Sequence, residues 1–408
     1  MDYMKQVKDA RIAANSLKLK TTDEKNKALK AISDALLNKI YKIIEANKID
    51  LENAIKNNIS EVMIKRLELT EKKIKDIAND ILNVIKLDDP VGKILDDYTA
   101  SSGIRIQKIT VPLGVILAIY ESRPNVSVDI SVLCIKSGNA CLLKGGKEAI
   151  NTNKLIVSII QEAIKDYLDP NSVQLVGDSS REVVAKLITL KGDIDLVVPR
   201  GSKGLINYVT ENTKVPYIET GAGVCHIYVS YDADIDMALN IIKNAKLSNP
   251  AVCNAVECIL INDKIKDIIL PKIKEMFKDI VVLKGDNEVK KIIDCELVSD
   301  YGNEYDGLFL DIKIVKDIDE AIAHIEKYGT HHSDCIITKD SALMEKFLNT
   351  IDSACVYVNA STRFSDGGCF GMGAELGIST QKLHARGPMA LKEMTTYKYK
   401  IIGHGEVR

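Results

Sequence analysis

"GVILAIYESRPNVSVDISVLCIKSGNACLLKGG", residues 114–146, sets two short apolar runs, GVILAIY and ACLLKGG, on either side of a segment whose apolar residues recur at helical spacing. A strand buried on both faces reads as an unbroken apolar run, because neither face is left to water. Run, helix and run therefore make a strand–helix–strand unit. The alternation continues through KEAINTNKLIVSIIQEAIKDYL, VQLVGD, SREVVAKLITL and IDLVVPRG. Repetition of the unit predicts an α/β fold with a parallel, doubly wound sheet, whose ligands lie beyond the carboxyl ends of its strands.

Outward from that stretch the pattern changes twice. Residues 1 to about 90 read as helices, with Thr21 and Glu24 forming a capping box and Thr70 opening the last long helix of the block at Glu71. Beyond CHIYVS (225–230) a second series of apolar runs follows: ECILIN, IVVLKG, LFLDIKIVKD, DCIITKD and ACVYVN, each separated by a helix-like segment. A second α/β domain is expected there. The strand pair around 98–112 and the tail TTYKYKIIGHGEVR alternate polar and apolar residues and belong to neither series; edge strands of this kind often pair across subunits. The division expected is 1–225, 226–360 and a return over 361–408.

The 408 residues allow two or three domains, and 55 basic against 57 acidic residues leave a net charge of -2. So balanced a chain carries no field for nucleic acid or membrane, which points to a small-molecule substrate. Nine cysteines without a C-x-x-C pair, behind an opening MDYMKQVKDA that lacks an apolar signal core, lead us to expect a cytoplasmic protein with reduced thiols. No apolar run approaches the roughly 20 residues of a membrane helix.

Several stretches carry chemistry, each with a structural reading beside the functional one. In VVPRGSKGLINYV, Gly201 and Ser202 follow an apolar run and open a helix, where backbone N–H groups could cradle a phosphate or merely form a short turn. Lys144 and Lys147 stand at the exit of another strand of the same sheet, near a nucleotide or solvated. In YESRPNVSVD, Asn125 could cap the next helix or donate to a developing oxyanion. The adjacent His331 and His332 point different ways and no cysteine is spaced to complete a tetrahedron, so no metal is expected. In NPAVCNAVECIL (249–260), Cys258 begins an apolar run and reads as core, whereas Cys253 lies in a loop where an environment can favour the thiolate.

The order PLGVILAIYESRPN, GNACLLKGGKEA, VVPRGSKG, ETGAGVCHIYVSYDADIDMA, NPAVCNAVE resembles the aldehyde dehydrogenase superfamily. Within it, the run from Val315 to Ile336, with His324, Tyr328, Gly329, His331, His332, Ser333 and Asp334, and the stretch VNASTRFSDGGCFGMGAELGISTQKLHARGP (358–388) are similar to the branch that reduces an acyl phosphate of glutamate on the way to proline. The resemblance covers nearly the whole chain. It implies an aldehyde dehydrogenase-like fold, with a cofactor-binding domain, a catalytic domain and a small β element for homo-oligomerisation into a dimer or larger assembly.

The same resemblance implies roles. Cys253 would be the nucleophile, Asn125 the oxyanion amide, Glu304 the partner of the nicotinamide ribose and Lys144 that of the other cofactor ribose. NAD-preferring relatives often carry glutamate three residues after that lysine; Lys147 suits a 2′-phosphate, so NADPH is the implied cofactor. Arg123, Arg363 and Arg386 become candidates for the substrate's carboxylate and phosphate. The implied reaction is NADPH-dependent reduction of L-glutamate 5-phosphate to the semialdehyde and phosphate through a cysteine thioester, with a glutamate 5-kinase as possible partner. Glu219 falls where hydrolytic relatives keep a water-activating base, which leaves open an NAD(P)-dependent oxidation of a small aldehyde to the acid. A scaffold that has lost the chemistry is the alternative from outside the enzymes.

Overall fold

The protein was studied as a computed structural model, which describes residues 2–178, 180–218 and 221–407. Two compact units form: Met1–Thr220 with Met372–Leu376 and Met389–Arg408, and Gly221–Gly371 with Gly377–Pro388.

In the first unit the expected helical block is present as Tyr3–Leu17, Thr22–Asn38, Ile40–Lys56, Glu61–Leu67 and Glu71–Lys86. Thr21 and Glu24 exchange both bonds of the capping box, and Thr70 caps the last helix through the N–H of Lys73. The apolar runs become four parallel strands in the order Val173–Leu175, Ala140–Gly145, Val115–Tyr120, Leu196–Arg200. The quoted stretch is the centre of this sheet, with every residue of Val115–Tyr120 and Ala140–Gly145 buried. Asp50 fastens the helical block to it, accepting hydrogen bonds from the N–H groups of Asn151 and Thr152 at the start of helix Ile150–Ile164. A carboxylate there also meets the positive end of that helix.

Strands Ile94–Thr99 and Arg105–Pro112 pair antiparallel, and the tail strand Thr395–Ile402 adds to the second of them, giving a three-stranded sheet within one chain. Its outer residues, among them Ile94, Tyr98, Tyr397, Tyr399 and Ile401, are exposed.

All six runs of the second series are strands of a parallel seven-stranded sheet in the other unit. Its order is Glu296–Leu297, Val282–Gly285, Phe309–Val315, Val256–Asn262, Cys225–Val229, Ser333–Ile337, Cys355–Val358. The two-residue strand at its edge is too short for a periodic signal, so the sequence pattern passes over it. One face packs Ile227, Val256, Ile259 and Leu310 against Ile242, Ile269 and Ile273; the other packs Tyr228, Cys258 and Leu260 against Ile325 and Phe347.

Candidate active site

In the first unit the strands step from Val115–Tyr120 through Ala140–Gly145 to Val173–Leu175, and the fourth, Leu196–Arg200, returns to the opposite flank. The crevice of such a sheet opens where the order reverses, between the ends of the first and fourth strands. Gly201 and Ser202 are there, as the sequence pattern places them, and Ser202 caps helix Lys203–Asn212. The Ser202 N–H donates to Glu121 Oε2 at 2.7 Å. A phosphate drawn to this helix start would have to displace that carboxylate. Glu121 was overlooked in the sequence although it directly follows the central strand.

Lys144, at the neighbouring strand end, is buried, and its Nζ reaches the Gly145 carbonyl at 3.4 Å. Burial pulls its pKa below the usual lysine value, partly offset by Asp178 and Glu148. A hydroxyl or anionic oxygen of a bound nucleotide would complete its donors, so the residues present fit a dinucleotide. Lys147 is exposed just beyond it, while Glu148 accepts the N–H and the hydroxyl of Ser122 at 2.7 and 2.9 Å.

Asn125 is the first residue of helix Asn125–Lys136 and makes no cap bond. Its Nδ2 instead donates to Asp129 Oδ2 at 2.9 Å. One amide N–H thus fixes the side chain and the second is left for another acceptor. Burial pushes the Asp129 carboxyl up to about 6, held back by the Asn125 bond and by Arg200. The sequence reading missed Asp129, one helical turn on from Asn125 and on its face, a spacing that could have found it.

Cys253 belongs to the second unit. Seven of the nine cysteines are buried, Cys369 is exposed and Cys253 is half-buried. Its turn joins helix Ile235–Leu247 to strand Val256–Asn262 and is held on every side. Lys246 closes the base, its Nζ donating to the Val256 carbonyl at 2.9 Å and to Glu257 Oε2 at 2.8 Å, all of it buried. Asn254 donates to the Ser365 carbonyl at 2.7 Å and accepts from Arg363, whose Nε reaches Ser248 Oγ at 3.0 Å. The Cys253 carbonyl accepts from Cys225 Sγ at 3.2 Å and lies against Gly223, where a Cβ would fall 1.5 Å from that oxygen. Gly223 in turn donates its N–H to Glu304 Oε1 at 2.8 Å.

Cys253 and Glu304 are therefore neighbours through one glycine. Both, with Gly223 and Thr330, precede the strands at the middle of the sheet and so gather at its amino edge, opposite the edge that the parallel-sheet rule names. Cys258 is fully buried, and burial beside Asp311 raises its thiol pKa well above the ordinary value.

The three arginines separate. Arg123 lines a groove with Asn125 in the first unit, and Arg363 clamps the Cys253 turn. Arg386 is committed elsewhere: it bonds the side chain and carbonyl of Asp352, both at 2.8 Å. Glu219 lies outside the described residues. His331 Nδ1 is 2.9 Å from the Asp352 carbonyl, and His332 Nδ1 is 2.9 Å from Ser333 Oγ, so the pair does not converge. A His/Cys group of the described residues does converge in the second unit's core, where ligand atoms of His226, Cys258 and His324 lie within 4.8 Å of one another.

The sequence model of the aldehyde dehydrogenase family matches residues 1–293. The chain belongs to that family. Aldehyde dehydrogenases use a nicotinamide cofactor. This member is 51% identical over 406 residues to the gamma-glutamyl phosphate reductase of Clostridium perfringens, covering 98% of each chain. It is 48% identical to the protein of the same name from Nautilia profundicola, over 100% of this chain and 99% of that one. The crystal structure of gamma-glutamyl phosphate reductase from Thermotoga maritima superposes with a TM-score of 0.98 at 44% identity, over the whole of both chains. No described helix of this aldehyde dehydrogenase is long and apolar enough to cross a membrane.

Proposed function

We propose that the protein reduces L-glutamate 5-phosphate to L-glutamate 5-semialdehyde and phosphate, using NADPH. The observation that carries the reading is the Cys253 turn: a half-buried thiol, backed by the close approach at Gly223 and clamped by Asn254, Arg363 and Lys246. Similarity along the full chain to gamma-glutamyl phosphate reductases supplies the substrate.

The Cys253 thiolate attacks the acyl carbon, and the Asn125 amide and the Cys253 backbone N–H stabilise the oxygen that becomes negative. Collapse expels phosphate, an adequate leaving group without a strong acid, and leaves a thioester. A reduced nicotinamide, when bound, supplies the hydride that this thioester carbon accepts. The thiohemiacetal then releases the aldehyde and returns the thiolate. Lys144 and Lys147 are assigned to the cofactor's adenosine side, with Lys147 favouring the 2′-phosphate, and Glu304 to the nicotinamide ribose. The exposed apolar residues of the three-stranded sheet support self-association into a homo-oligomer.

The test runs the reaction backward. Glutamate 5-semialdehyde and NADP are supplied with and without inorganic phosphate, and NADPH formation is followed. A phosphate requirement is expected; equal turnover without phosphate would show an aldehyde oxidation to the acid instead.

A further inference from the structure

A groove of about 390 Å³ runs beside Asn125 in the first unit, lined among others by Arg66, Lys73, Asp76, Asp80 and Arg123. Its charges are of both signs. Asp76 and Asp80 stand four apart on helix Glu71–Lys86, where two like charges weaken a helix, and neither has an ion pair among the described residues. Desolvation, and after it repulsion from Asp76, raises the Asp80 carboxyl pKa against the pull of a hydrogen bond with Asn83. Lys73 does not neutralise them: its Nζ donates to the carbonyls of Lys65 and Glu68 at 3.3 and 2.7 Å, holding the end of helix Glu61–Leu67. Arg66, in the last turn of that helix, also has no ion pair among the described residues.

We infer that this groove seats the zwitterionic head of an α-amino acid, with the ammonium held by Asp76 and Asp80 and the carboxylate by Arg66 and Arg123. The inference rests on the function proposed above, and it adds how the substrate's far end is chosen. A dicarboxylate would meet two unneutralised aspartates, a simple amine would leave Arg66 without a counter-ion, and an aliphatic aldehyde would answer neither. An ammonium and a carboxylate on one carbon answer both, and a guanidinium's planar fork suits the carboxylate. The groove's volume lies in the range of small-molecule sites. Asn125, the residue assigned to the developing oxyanion, also lines the groove.

Calorimetric titration of the full chain tests this with three ligands: L-glutamate; glutarate, which lacks only the α-ammonium; and 4-aminobutanoate, which lacks only the α-carboxylate. The wild type is expected to prefer L-glutamate over each by roughly 10- to 100-fold, the range of a charged hydrogen bond. Asp76→Asn/Asp80→Asn should abolish the preference over glutarate alone, and Arg66→Gln should lower the preference over 4-aminobutanoate alone. The aspartate changes relieve repulsion on an exposed helix face, so the fold should persist, checked by an unchanged or raised Tm. Equal wild-type affinity for glutamate and glutarate, or variants that keep both preferences, would overturn the inference. Semialdehyde turnover on the same preparations separates the two proposals. Selective L-glutamate binding without phosphate-dependent turnover sinks the reaction and supports the groove.

Discussion

Replacing Gly223 by alanine puts one methyl group against the backbone of the candidate nucleophile. The new Cβ would lie 1.5 Å from the Cys253 carbonyl oxygen, 2.3 Å from its carbon and 2.7 Å from Cα. Cβ atoms essentially never come within 3.0 Å of a neighbour, so the two backbones must part by 3.0 − 1.5 = 1.5 Å. Neither side yields easily, because the Gly223 N–H is tied to Glu304 while Asn254 and Lys246 hold the turn. The displacement therefore reaches Cys253 or Glu304, both assigned to the chemistry. A 1 Å misplacement of a reacting group can cost about 100-fold, so kcat should fall at least that far, and overpacking should lower stability by about 1–3 kcal/mol. Gly307→Ala is the control from the same unit, because its nearest contacts are ordinary ones at 3.5 Å. Phosphate-dependent semialdehyde oxidation, the rate of Cys253 alkylation and a urea unfolding curve would be measured on both variants. Wild-type turnover in Gly223→Ala, with an unchanged alkylation rate, would refute the reasoning.

Asn125→Ala should lower kcat by about 100- to 1,000-fold, as loss of one oxyanion donor does, and steady-state kinetics reads it. The Asp129 carboxyl, raised from 3.8 to about 6 in the fold, gives stability that is full below pH about 4 and lost as pH rises through 6; Tm should fall across that window, Asp129→Asn should flatten it, and Asn125→Ala, by removing a donor, should move it upward. Lys246→Met strands the buried Glu257 and should cost about 3–5 kcal/mol in urea unfolding, whereas Lys246→Met/Glu257→Leu should recover much of the loss. Iodoacetamide should label Cys253 and Cys369 among the nine, with inactivation following Cys253 and surviving in Cys369→Ser; inactivation that followed Cys369 would undo the assignment of the nucleophile.

The central strands were legible because burial on both faces writes an unbroken apolar run, and the middle strands of both parallel sheets are buried in that way. Asn125, Lys144 and Ser202 could be picked out because strand ends and helix starts sit at predictable places in such a pattern. What the pattern cannot hold is which polar atoms are already spent. Ser202 reads as an open anion cradle until Glu121, 81 residues earlier, is found on its N–H. Arg386 reads as a substrate cation until Asp352, 34 residues earlier, is found in its fork. Asn125 reads as a helix cap, and its bond runs instead to Asp129.

Asp129 lies one helical turn from Asn125, within reach of the i, i+4 spacing, whereas the first two partners come from segments distant in sequence, which no local propensity records. The amino-edge location of Cys253 and Glu304 has the same origin. The carboxyl-edge rule describes where crossover helices leave a crevice, whereas here the turn before Val256–Asn262 is pinned by Gly223, Asn254 and Lys246. A nucleophile needs a backbone that does not move when the acyl group arrives, and a turn tied from three segments meets that need better than an open crevice loop. The glycine at 223 is therefore as much a part of the proposed nucleophile as its sulfur, although nothing in "GAGVCH" says so until the carbonyl of Cys253 is placed against it.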